Sequence, residues 1–79
     1  MAGDAVPKLI PSSSLHGRLV SPRARHALVW FSDRTWRLCQ VTGWRQLGRY
    51  KWDIQLAAGG GPPMWYAYDP GRIRPPPDS

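Results

Sequence analysis

Few residues of this chain have the chemistry of an active site, and their spacing excludes more than it offers. His16 and His26 lie ten residues apart with no carboxylate close beside either, so neither a metal site nor a general base with its orienting acid is built locally. Ser12, Ser13 and Ser14 run together, without the glycines of a strained elbow that would expose a nucleophilic hydroxyl. Gly59, Gly60 and Gly61 are not followed by the Lys and Ser or Thr of a phosphate-cradling loop. The acidic residues are all Asp, at 4, 33, 53, 69 and 78, mostly in turn-like or terminal stretches. Cys39 is the single cysteine, which removes an internal disulfide and a cysteine-based zinc site from consideration. No enzyme activity, cofactor or metal is expected.

Positive charge is what remains. Lys and Arg number 11 against 5 acidic residues, for a net charge of +6, and such a balance suits an acidic partner such as nucleic acid. Nine of the eleven are Arg and Glu is absent, a bias that a GC-rich bacterial genome also produces. The cations fall into groups: Arg18, Arg23 and Arg25; Arg45, Arg49 and Lys51; Arg72 and Arg74. These eight are the expected phosphate contacts, the seven Arg through guanidinium forks that match phosphate oxygens and Lys51 through its ammonium. Phosphates carry no sequence information, so duplex DNA bound with little base reading is the leading expectation. The alternative is a protein-interaction module that presents an aromatic groove to a peptide or docks onto a larger assembly.

The elements that must position these residues read as all-β. Tryptophans recur at 30, 36, 44, 52 and 65, while Pro and Gly together number 17, a pattern of short strands and many turns with aromatic bulk expected in the core. Residues 26–31 form an apolar run that ends at the turn signal 32–35. Residues 36–46 form a long strand whose apolar parity changes between Leu38 and Cys39, which implies a bulge or bend eased by Gly43. In residues 50–56 apolar and polar positions alternate, so Trp52, Ile54 and Leu56 should face inward and Lys51, Asp53 and Gln55 outward. Cys39 should be a packed core thiol. Residues 64–68 form a further strand, followed by a turn at 69–72 and by Ile73.

Residues 1–22, with scattered Pro and no sustained period, read as a flexible N-terminal arm, with a short strand permitted at 15–20. Residues 23–75 are the folded domain and 76–79 a proline-rich tail. No apolar run approaches the ~18 residues that span a bilayer, and no basic-flanked leader opens the chain, so a cytoplasmic protein without a membrane partner is expected.

Trp30, Asp33, Trp36 and then Cys39-Gln40-Val41, followed by an amphipathic strand, another strand, one turn and a short final strand, resemble the SH3-like barrels of the Tudor type over about fifty residues. The resemblance implies a small barrel of about five strands. Tudor domains that read methylated side chains enclose the cation in aromatic rings, and Trp30 falls on one of those positions. Arg37 stands where another aromatic belongs, and Gly59-Gly60-Gly61 occupies the loop that would supply more. What the resemblance leaves is an aromatic shelf of Trp30, Trp36 and Tyr68.

Overall fold

The computed structural model describes residues 5–22, 24–58 and 61–76. Six strands follow in chain order: β1 (Arg18–Val20), β2 (His26–Trp30), β3 (Trp36–Gln46), β4 (Trp52–Ala57), β5 (Met64–Ala67) and β6 (Ile73–Arg74). They form one antiparallel sheet in the order β5-β4-β3-β2-β6, with β1 paired to the C-terminal part of β3. The chain is all-β, as expected. Among the described residues no helix is long and apolar enough to cross a membrane.

Local chemistry sets the strand ends. Between β2 and β3, Asp33 accepts from the Thr35 hydroxyl at 2.6 Å and from the Arg37 guanidinium, and the Thr35 bond, ahead of Arg37, holds the Asp33 carboxyl below its ordinary range. Arg34 takes the left-handed conformation (φ 62°) that this tight turn demands. At the Leu38–Cys39 parity change the register with β2 is unbroken and Leu38 simply lies on the exposed face; the irregularity in β3 falls further along, as a register shift between Val41 and Gly43 against β4. It lets Cys39 and Val41 enter the core while Trp44, three residues beyond Val41, remains on the same side.

The core is Leu9, Ala27, Val29, Phe31, Cys39, Val41, Ile54, Leu56, Tyr66 and Ile73. Ile54 and Leu56 are fully buried, each contributing about 1.5–3 kcal/mol relative to exposure. The tryptophans do not form this core: all five are half-buried, and of them Trp44 packs against it. The smaller apolar residues, few as they are, converge from every strand but β1, while the indoles, bulky for so small an interior, stay half-buried.

Two further expectations are corrected. Residues 6–12, assigned on sequence to a flexible arm, pair with both margins of the sheet. Ser32 donates to the Val6 carbonyl and Lys8 donates to that of Trp30; beyond Leu9, Ala67 donates to Ile10 and Ser12 to Trp65, all at 2.8–2.9 Å. Bridges Pro7↔Phe31 and Pro11↔Tyr66 accompany these bonds, and Leu9 is only 8% exposed. The prolines that obscured any period in sequence sit where no ladder N–H is required of them. The second correction is Asp53, expected on a wet face but 1% exposed. The N-terminal segment reaches the outer side of β4 through Ser12, which bonds the Asp53 carboxylate, so this strand's polar face is covered at Asp53.

Candidate functional site

Of the eight cations expected to contact phosphate, Arg45 is withdrawn by the fold. It is buried opposite Asp53 in the β3–β4 ladder, donating to Asp53 Oδ2 from Nε at 3.3 Å and from Nη2 at 2.9 Å. Its guanidinium also lies 4.3 Å from the centre of the Trp65 ring. The Ser12 hydroxyl donates to the same carboxylate oxygen, and Gly17, at φ +131°, passes so close that a Cβ there would stand 2.5 Å from Arg45 Cγ. Arg45 is a fixture of the fold.

The other described carboxylates are also matched to arginine. Asp33 pairs with Arg37. Asp69 lies 3.7 Å from Arg72 and caps the turn by accepting from Gly71 N; Arg72 also donates to the Lys8 carbonyl at 3.1 Å. The cations without a carboxylate partner among the described residues are therefore Lys8, Arg18, Arg25, Arg34, Arg49, Lys51 and Arg74, all exposed. Arg23 lies outside the described residues. Lys8 and Arg34 were missed on sequence because each stands alone.

The expected shelf of Trp30, Trp36 and Tyr68 is divided by the register. Trp30 and Trp36 are cross-strand partners with ring centres 5.3 Å apart, and Arg74 stacks on Trp36 at 4.2 Å. Tyr68 belongs elsewhere, with its ring 5.1 Å from Trp44, which in turn lies 6.2 Å from Trp52 in an edge-to-face arrangement. Backbone bonding explains this second cluster: Gln46 opposes Trp52 in the β3–β4 ladder, and Tyr68 donates to the Trp52 carbonyl just beyond the end of β5. Neither Trp44 nor Trp52 was singled out as a site residue on sequence, where both read as core.

Around this cluster runs a cleft. Its middle, about 450 Å³, is lined by Val20, Ser21, Ala24, Trp44, Trp52 and Tyr68. Past Ala24 and Tyr68 it meets a cavity of about 240 Å³ whose walls include His26, Arg74, Pro75 and Pro76. In the other direction, past Trp52 and Tyr68, it meets one of about 520 Å³ bordered by Arg49, Tyr50, Lys51 and Pro70. Among the described residues no carboxylate lines any of the three. Arg18 is level with Gln46, and Gln46 with Trp52, so Arg18 shares a sheet face with the cleft two strand spacings from Trp52.

At the Arg49 end, Leu47 N and Gly48 N both bond to the Lys51 carbonyl at 2.9 and 3.2 Å, closing a tight turn that projects Tyr50. That ring is 90% exposed between two cations. An aromatic residue inside a polar turn was the sequence signal for it, passed over because Tyr50 also fits the apolar alternation of β4. The buried Cys39 and Tyr66 take no part in the cleft: burial raises both above their ordinary values, and for Tyr66 Cys39 adds to the effect. The chain matches no protein-family model, and comparison with the curated proteins and with the solved structures returned no match.

Proposed function

We propose that this protein is a non-catalytic, cytoplasmic binding module with an SH3-like architecture of the Tudor type, and that its ligand is nucleic acid. The single observation that carries the reading is the cleft floored by Trp44, Trp52 and Tyr68, with Arg49 and Lys51 at one end, Arg74 at the other and, among the described residues, no carboxylate between them. Cations without a carboxylate partner among the described residues keep their charge for a ligand, and phosphate is the anion that an extended, positively flanked cleft meets repeatedly. The bent β3 with its bulge and the short β6 support the architecture, since small barrels bend long strands this way.

The test is a titration of labelled nucleic acid at two salt concentrations with Arg49→Ala/Lys51→Ala and Arg74→Ala variants. The reading predicts affinity that falls steeply with salt, by a slope that shrinks by about 0.7–0.9 in log units for each phosphate that a variant no longer neutralises. Absence of association at low salt would refute it. One observation favours a second reading, a groove for proline-rich peptide: Pro75 and Pro76 of the chain itself line the cleft with Trp44 and Tyr68, and proline-rich segments dock on aromatic-lined grooves. Such binding would respond weakly to salt.

A further inference from the structure

Resting on the nucleic-acid reading, we propose that the ligand is single-stranded, with unpaired bases stacked on Tyr50, Trp52 and Tyr68 and phosphates held by Arg18, Arg49, Lys51 and Arg74. Duplex DNA, the expectation from charge alone, leaves this cleft unused. In a duplex the base faces are already stacked on one another, so the only surfaces offered are phosphates and groove edges. An aromatic floor gains nothing from those. A single strand presents bare base faces and a flexible backbone, and each base that lies on a ring removes two apolar surfaces from water at once.

Tyr50 points the same way. A ring that is 90% exposed at a turn tip contributes nothing to the core, and the residues on either side of it are cations, Arg49 and Lys51. That sequence places a stacking surface between two phosphate contacts, in the alternation that a polynucleotide itself has. Trp52 and Tyr68 continue the line from the same cavity into the middle of the cleft. Trp44, half-buried and edge-packed against both, holds their angles. The edge-to-face packing keeps the rings from stacking face to face on one another. The carboxylates of an acidic peptide could satisfy the cations but are not themselves surfaces on which a run of rings can stack.

The experiment titrates the whole protein with a thymidine oligomer of about 12 nucleotides, a length within the span of one small binding fold, and with a duplex of equal length, following intrinsic tryptophan fluorescence and anisotropy. The single strand should bind more tightly and quench the indoles. Tyr50→Ala, at an exposed position that leaves the fold intact, should weaken single-strand binding by between about 5-fold and about 100-fold without changing the salt slope, and Tyr50→Phe should restore it. Arg49→Ala/Lys51→Ala should instead flatten the slope by about 1.4 log units. Duplex binding that equals or exceeds single-strand binding, or a Tyr50→Ala variant that binds like the parent, would overturn the inference while the broader nucleic-acid reading stands. No association with either oligomer at low salt would remove both.

Discussion

Asp53 and Arg45 are the place where the fold departs most from a simple alternating strand, and removal of one partner tests that departure. The side chains are 1% and 10% exposed, and Asp53 Oδ2 receives two bonds from Arg45 and one from Ser12. Asp53→Ala leaves a guanidinium in the interior with only the Trp65 ring opposite it. Stranding a buried charge in this way costs about 3–5 kcal/mol. A domain of 79 residues has a total stability of about 4–12 kcal/mol at 0.05–0.15 kcal/mol per residue. The variant should thus lose at least about 12 °C in Tm, at about 4–8 °C per kcal/mol for this size, and is unfolded at room temperature if the parent lies at the low end. Circular dichroism melts and urea titrations measure the loss. Arg45→Met/Asp53→Leu, which removes both charges and keeps apolar volume, should recover most of it. A loss under about 1 kcal/mol for Asp53→Ala would show that Asp53 faces water and would refute the covered outer face of β4. A double variant no better than the single one would assign the loss to packing and not to the stranded charge.

Other outcomes follow from the same geometry. Leu9→Ala should destabilise by about 2–3 kcal/mol, and deletion of residues 1–12 by more, because Leu9 is a core residue; unchanged melting of the truncated protein would restore the flexible-arm description. Gly17→Ala should cost about 1–3 kcal/mol in a chemical-denaturation titration, since its φ of +131° and the nearby Arg45 stem leave no place for a methyl group. Cys39 should resist a thiol reagent in the native protein and react after denaturation, because it is buried with its thiol held protonated; rapid native labelling would contradict the β3 register. The raised values of Cys39 and Tyr66 mean that the folded state retains these protons longer than the unfolded chain does. Their contribution to stability is complete below the ordinary thiol value of 9.0 and is lost as pH rises through the folded values, so urea midpoints should fall in alkali.

How much of this was legible in the sequence differs from element to element. Strand class and the inward set Ile54 and Leu56 came directly from periodicity, because a two-residue repeat reports which face is apolar; the parity change at Leu38–Cys39 only marked an exposed Leu38, and the actual register shift lies beside Gly43. Periodicity does not report what covers the other face. The burial of Asp53 depends on a segment some 40 residues away that bonds to two sheet margins through backbone groups, which leave no mark on side-chain pattern. The same limit hid the fate of Arg45, whose partner is a cross-strand neighbour. Charge counting identified Arg18, Arg25, Arg49, Lys51 and Arg74 as exposed cations but could not separate them from arginines absorbed by aspartates. The cleft was the least legible part. Trp44, Trp52 and Tyr68 are far apart in sequence and meet only because of the β3–β4 register and one bond beyond β5.

The central claim is that this cleft binds a single-stranded polyanion through rings and unpaired cations together, and one measurement tests it most directly: the salt dependence of oligothymidine affinity for the parent protein, for Tyr50→Ala and for Arg49→Ala/Lys51→Ala. Parallel lines of log affinity against log salt for the parent and Tyr50→Ala, displaced by between about 5-fold and about 100-fold, with a shallower line for the double variant, are the predicted result. Three coincident lines, or no binding to the oligomer at low salt, would contradict it.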